Sequence, residues 1–325
     1  MKSVVYSQFG EPETVLSLGE VALPEPGRQQ VRIRTRLAAI HNHDLWTVRG
    51  SYGHKPALPA VGGTEAVGLV DAVGEGVDPG LIGRRVNSAS GIGTWAEYFL
   101  APASGLVPLP DSVSDEAAAQ LIAMPLSALS LLEYLNVREG DWIIQNAANG
   151  AVGKTLAMLT EARGIHTVNL VRRDAGVTEL NDLGIGQVVS TAHPDWKAQV
   201  RALHGEASPR AAVDSIGGDA SGDLAELLGQ DGLLVSFGTM SGGPMHIPSG
   251  DVIFKHLTVK GFWGSRIIAE MSAEDRARLI RELVGLVAGG QLRLPVEGVH
   301  AFADIRAAVQ ASLTPGKSGK VLLRP

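Results

Sequence analysis

The segment with the clearest chemical content is Trp142-Ile-Ile-Gln-Asn-Ala-Ala-Asn-Gly-Ala-Val-Gly153. It reads as a strand leaving a sheet through a small-residue turn into a helix. Ala147, Gly150 and Gly153 have the spacing of a dinucleotide-binding turn, in which backbone N–H groups approach a pyrophosphate at a helix N-terminus. Gly153 would let the helix pack closely. The plainer alternative is a glycine-rich strand-to-helix turn without a ligand, since Ala147 stands where the first glycine usually is. About 20 residues further on, NAD-binding folds place an acid that holds the ribose 2′-hydroxyl. Here that count reaches Arg172 and Arg173. Two guanidinium groups would attract and fork onto the 2′-phosphate of NADP, whereas an acid would repel it. A solvated basic loop is the alternative, with Asp174 adjoining it. The pair favours NADPH over NADH. Cysteine is absent, which removes disulfides, thiolate nucleophiles and thiolate metal sites together.

These groups need a frame. From 30 to 40, Val31, Ile33 and Thr35 alternate with Arg32, Arg34 and Arg36, the period of a strand with one buried and one basic face. Further strands are predicted at 65–73, 85–89 and 95–100, punctuated by glycine and proline. No helical period of useful length is seen before residue 114. Ser114 then caps a predicted helix whose first turn carries Asp115 and Glu116, with apolar spacing from 117 to 135. Strands at 142–145, 166–171, 187–190, 211–215, 233–237 and 257–262 follow, most with a helical segment between them. That alternation predicts a parallel sheet with helices on both faces. A long helix at 272–289, a shorter one at 305–313 and a closing strand at 320–323 finish the chain. The fold class is therefore α/β, a β-rich domain ahead of a doubly wound one. The closing strand has no slot in a six-strand sheet, so the tail is expected to rejoin the first domain.

Composition narrows the partners. The chain has 325 residues and a formal net charge of -6, so about two domains are expected and a general nucleic-acid binder is not. No apolar run approaches the roughly 20 residues that span a bilayer. Residues 1–10 show no apolar signal segment. A soluble, cytoplasmic protein is the expectation.

The chain resembles the medium-chain dehydrogenase/reductase superfamily along essentially its whole length. More narrowly it is similar to the zinc-free quinone oxidoreductase and 2-enoyl thioester reductase branch. Gly50-Ser-Tyr-Gly53, Leu58-Pro-Ala-Val-Gly-Gly-Thr-Glu65, Gly93-Thr-Trp-Ala-Glu97, the turn at 145–153, Ile253-Phe-Lys255 and Lys260-Gly-Phe-Trp263 carry the likeness. The resemblance implies a GroES-like catalytic domain over 1–115, completed by 266–325, and a Rossmann NADPH-binding domain over 116–265, with the active site in the cleft between them. It implies a homodimer joined through the Rossmann sheets. It places Tyr52 on the catalytic tyrosine of enoyl reductases, as proton donor or oxygen anchor; a phenol ordinarily keeps its proton at neutral pH.

By the same resemblance Asn149, Gly150, Ala151 and Val152 cover the pyrophosphate. Phe237, Gly238, Thr239 and Met240 lie beside the nicotinamide, and Phe262, Trp263, Lys320 and Ser127 match further cofactor contacts. His41 and Trp46 shape the substrate pocket. His41 and Thr64 stand where zinc relatives carry Cys and His, and the third ligand falls near Met124. No catalytic zinc is expected, although His41, Asp44 and Glu65 remain as possible weak ligands. Two departures, His41 in place of Asn and Ile267 in place of an aromatic, reshape the pocket. Without zinc to polarise an alcohol oxygen, the expected acceptor is an activated C=C bond or a quinone: an enone, a quinone or a 2-enoyl thioester. A zinc-type alcohol dehydrogenase and a non-catalytic NADPH-binding protein stay open as alternatives.

Overall fold

The structure, a computed structural model, describes residues 1–89 and 91–325. The chain packs as two units. One comprises Met1–Ala123, Ile280–Gly290 and Leu294–Pro325, the other Met124–Leu279 and Gln291–Arg293.

In the first unit the strands are β1 (Lys2–Tyr6), β2 (Ser17–Glu20), β3 (Gln30–Ala39), β4 (Ala60–Val61), β5 (Ala66–Val73), β6 (Arg85–Ser88), β7 (Tyr98–Pro102) and β8 (Leu106–Pro108). Its early helices are α1 (Pro12–Val15), α2 (Asn42–Arg49) and α3 (Asp115–Ala118). The alternation expected in β3 is present. Val31, Ile33, Thr35 and Leu37 are buried, while Arg32 pairs with Asp71 at 2.7 Å and Arg36 with Asp115 at 3.1 Å.

Helix α2 corrects the expectation of no helix before residue 114. Only Leu45 and Val48 of its apolar residues face inward, too few to show a period. Its ends are set locally instead: a capping box joins His41 to Asp44, and Gly50, at φ 76°, closes it. The long helix expected from Ser114 to residue 135 is also interrupted. α3 stops at Ala118 and α4 (Ala123–Leu135) begins after a break. Inside the break, the N–H of Ile122 and then that of Ala123 donate to Glu65, at 2.7 and 3.2 Å. A buried carboxylate from a distant strand end takes the donors that a continuous helix would have used.

The second unit runs α4, β9 (Trp142–Gln145), α5 (Ala151–Ala162), β10 (His166–Val171), α6 (Asp174–Asp182), β11 (Val188–Ser190), α7 (Trp196–His204), β12 (Ala211–Asp214), α8 (Asp219–Leu227), β13 (Leu233–Ser236), α9 (Ser249–Phe254), β14 (Thr258–Gly261) and α10 (Gly264–Glu270). Six parallel strands lie in the order β11-β10-β9-β12-β13-β14. The order reverses between β9 and β12, and open parallel sheets take ligands outside the carboxyl ends at such a switch.

The chain ends with α11 (Ala273–Ala288), β15 (Val296–Ala301), α12 (Ile305–Leu313) and β16 (Lys320–Arg324). β16 pairs with β3 through Leu322–Ala39 and Leu323–Ala38. The resulting sheet has the order β15-β16-β3-β5-β6-β8, with β7 also on β3.

Candidate active site

In the second unit the turn after β9 has the form a phosphate needs. Ala147 sits at φ 49°, the left-handed region that glycine fills most readily. Gly150 precedes α5 without a side-chain cap. Among the described residues the N–H groups of Ala151, Val152 and Gly153 have no acceptor in the protein, so three donors at a helix N-terminus point outward. A Cβ on Gly153 would lie 2.6 Å from the Ala148 carbonyl oxygen. The close approach is thus to the turn itself, and Gln145 Nε2 ties the sheet end to it by donating to Gly153 O at 2.8 Å. Lys154, in the first turn of α5, forms an ion pair with Glu179 of α6. Asn149 also donates to Glu179, at 3.4 Å.

Arg172 and Arg173 follow β10, and both are exposed. Asp174 does not neutralise them. Its carboxylate holds His193 at 2.9 Å, and hydrogen bonds from Ser190 and then His193 keep it below the usual carboxylate range. At the switch point, buried Asp214 accepts from Asn146 Nδ2 at 2.7 Å, the N–H groups of Ile216 and Gly217 at 2.9 and 3.0 Å, and Ser221 Oγ at 2.6 Å. Asn146 Oδ1 in turn accepts from the Ser215 N–H at 2.7 Å. This lock fixes the loops after β9 and β12.

Beyond β13, Phe237 and Gly238 are half-buried, and Thr239 and Met240 are exposed. Phe237 tilts against Phe262 at 5.8 Å. Phe262 is itself buried, but Trp263 is 67% exposed. Ser127 is half-buried and lies beside Gly264.

The first unit gathers the remaining candidates. The chain turns at Gly62 and Gly63, where a Cβ would come within 2.3 Å of the buried Trp95 ring. This turn presents Thr64 and Glu65 to α2. Glu65 accepts from Asn87 Nδ2 at 2.9 Å and from the two backbone N–H groups already described. It lies 2.9 Å from His41 Nε2. Burial pushes the Glu65 carboxyl up to about 7 against the pull of these donors. Burial, and next the Lys320 ammonium, hold His41 well below the usual imidazole range. A neutral His41 donating from Nε2 leaves Nδ1 as an acceptor, and Nδ1 is buried without a partner among the described residues. Lys320, at the start of β16, is pushed down to about 8 by burial, which Asp44 opposes.

His41, expected in the substrate pocket, is fully buried, and its ring lies beneath His43, stacked at 5.0 Å and 14°. His43 stacks in turn with Tyr52 at 5.8 Å, and Trp46 leans on Tyr52 at 6.5 Å. Tyr52 is half-buried, and Trp46 is 48% exposed.

Family models match both parts of the chain: the alcohol dehydrogenase GroES-like domain over residues 27–111 and the zinc-binding dehydrogenase over residues 151–282. The mitochondrial enoyl-[acyl-carrier-protein] reductase of Xenopus tropicalis is 33% identical over 99% of this chain and 95% of its own length. The chain belongs to the medium-chain dehydrogenase/reductase superfamily, in its zinc-free quinone oxidoreductase and enoyl reductase branch. Among solved structures of this superfamily, the Escherichia coli quinone oxidoreductase complexed with NADPH aligns at TM-score 0.87 and 26% identity, covering 100% of both chains. A mycobacterial quinone oxidoreductase aligns at TM-score 0.88 and 27% identity, again over 100% of both.

Zinc, which one family description carries, does not fit these side chains. Cysteine is absent. Both Glu65 oxygens already hold donors, and His41 Nε2 is spent on Glu65. Among the described residues no three His, Asp or Glu side chains stand together as a metal would require. The dinucleotide does fit, through the open N–H groups at α5 and the exposed arginines.

Sequence reasoning missed three groups and read a fourth, His43, only as a polar lining of the cleft. Asp214, Asn146 and Glu179 act on backbone or partners far off in the chain, and no local pattern marks them. His43 carried a signal, a second histidine beside the Asp44 of the capping box, but its partner Thr64 lies 21 residues away.

Proposed function

We propose that this chain is an NADPH-dependent reductase of activated C=C bonds or quinones that works without zinc. The observation that carries the reading is the exposed arginine pair at the end of β10, beside an Asp174 whose carboxylate is held by His193 and Ser190. NADPH supplies a hydride to the electron-poor carbon of the acceptor. Asn149, Gly150, Ala151 and Val152 bind its pyrophosphate, and Arg172 and Arg173 its 2′-phosphate. Phe237, Gly238, Thr239, Met240, Trp263, Ser127 and Lys320 complete its contacts, with Phe262 supporting Phe237 from behind. Tyr52 anchors the acceptor oxygen, and Trp46 borders the substrate. The relatives named for enoyl-[acyl-carrier-protein] and quinone support this acceptor range.

The division into a catalytic domain over 1–115 with 266–325 and a cofactor domain over 116–265 belongs to the same proposal, as does a homodimer. The edge strand β14 is exposed throughout, and Val259, Ile253 and Phe254 are 41%, 59% and 80% exposed. An unpaired edge flanked by apolar side chains is suited to pairing with a second copy. A cytoplasmic location is also proposed. No described helix is long and apolar enough to cross a membrane, and because the curated relatives are named mitochondrial, cell fractionation is the test.

The decisive experiment is steady-state oxidation of NADPH and NADH with crotonyl-CoA, a naphthoquinone and a simple enone. Turnover of at least one acceptor with NADPH preferred is expected. Tight NADPH binding with no turnover anywhere would establish a binding protein instead. Alcohol oxidation abolished by a chelator would establish a zinc enzyme.

A further inference from the structure

We propose that His43 delivers the proton that completes the reduction, aimed by Asp44 through Thr64. The inference rests on the reductase reading above. Hydrogen-bond chemistry fixes the direction of the chain. Asp44 Oδ2 accepts from the His41 N–H at 2.8 Å, and Oδ1 accepts from Thr64 Oγ1 at 2.8 Å. A carboxylate only accepts, and a hydroxyl has one proton to give. With that proton on Asp44, Thr64 Oγ1 must accept from His43 Nε2, 2.8 Å away. His43 Nε2 therefore carries hydrogen, and Nδ1 is the nitrogen left for chemistry. Among the described residues Nδ1 has no protein partner, and the side chain keeps 20% exposure.

Asp44 Oδ1 lies 3.5 Å from Nε2. His41, the ring stacked beneath, is held neutral by burial and adds no competing charge. Tyr52 is the other stacked partner, while Glu65 and Lys320 act on His41. The two stacking contacts and the Thr64 bond hold the ring in one plane, as a proton donor requires.

The hydride forms a C–H bond at the electron-poor carbon, and the electron pair of the C=C or C=O bond moves to the acceptor oxygen, which Tyr52 anchors. The proton on His43 Nδ1 passes to that oxygen. Neutral His43 then recovers a proton from water at its exposed edge. One hydride and one proton have been added to the acceptor.

Chemical rescue tests this. His43→Ala should lower kcat about 10²-fold with the acceptor KM within about threefold, while NADPH binding and Tm stay near wild type. Free imidazole should restore turnover at least about tenfold, filling the space and replacing the group. Thr64→Val should lower kcat about tenfold and Thr64→Ser should restore it, because only the hydroxyl relays the aim of Asp44. His43→Gln, which keeps a donor toward Thr64, should be as slow as His43→Ala and covers the case in which the smaller residue fails to fold. Turnover of His43→Ala or His43→Gln within threefold of wild type would overturn the proposal. So would a folded, NADPH-binding His43→Ala that imidazole leaves slow. A wild-type chain inert toward every acceptor would overturn the reductase reading and this inference with it, whereas an active wild type with an equally active variant sinks this inference alone.

Discussion

Glu65 is enclosed on every side and still satisfies two backbone N–H groups and an amide. Its carboxyl sits at about 7 in the fold against an ordinary value of 4.5, so the folded chain holds this proton more firmly than the unfolded one. Stability from this group is complete below pH 4.5 and is lost as pH rises toward 7, on the order of 3 kcal/mol. Lys320 runs the other way. Burial lowers it from 10.5 to about 8, so folding gains as pH rises between those values. Glu65→Gln should flatten the fall in stability between pH 4.5 and 7, measured by urea unfolding at several pH values. An unchanged slope would show that Glu65 titrates normally. Tyr52→Phe removes only the phenolic hydroxyl and should cost about 10²-fold in kcat with NADPH binding intact, since one donor to a developing oxyanion is worth that much. Unchanged turnover would leave Tyr52 as a packing residue. The arginine pair was singled out by residue type and its count past the turn, and Tyr52 by the family resemblance. The Asp44–Thr64–His43 chain was not, because a turn packed on Trp95 has to bring Thr64 to α2 first.

At the scale of elements, the alternation of strand and helix after residue 140 was readable almost throughout, since period and punctuation agree there. Failures came where a side chain competes with the backbone: α2 is defined by its caps, and the break before α4 by Glu65. The turn into α5 is the element most exposed to a single change. Gly153→Val would press a side chain into the Ala148 backbone, 2.6 to 2.9 Å from the new Cβ. That should cost roughly 1–3 kcal/mol of stability and weaken NADPH at least tenfold, read by thermal unfolding and by fluorescence titration. Wild-type NADPH affinity in this variant would place the cofactor elsewhere. In the proposed reading, the junction of β10 and α6 sets which dinucleotide is preferred. Arg172→Ala combined with Arg173→Ala should reduce NADPH affinity at least tenfold and leave NADH nearly unchanged. An equal loss for both cofactors would refute the 2′-phosphate assignment.

For the whole molecule, the proposed dimer rests on the exposed β14 edge. Val259→Lys should shift the protein from dimer to monomer in light scattering after gel filtration, because charges on an edge strand oppose pairing. A mass unaffected by the change, or a wild-type monomer, would remove the dimer proposal. The closing strand was placed from sequence by elimination, and it does pair with β3 rather than with the parallel sheet. Which neighbours it would meet was not legible, since strand pairing across most of a chain leaves no local pattern. That pairing also bears on how the protein is made. β3 lies inside the seven-stranded sheet next to β16, yet a ribosome delivers β16 roughly 280 residues after β3 ends, about a quarter of a minute to a minute later at ordinary translation speeds. Throughout that interval Ala38 and Ala39 of the nascent chain lack the neighbour that completes their ladder. The parallel sheet, whose strands arrive consecutively, can close while synthesis continues. Nascent chains halted between β14 and β16 should therefore protect the dinucleotide-binding unit from protease and leave the rest open to cleavage and to chaperones.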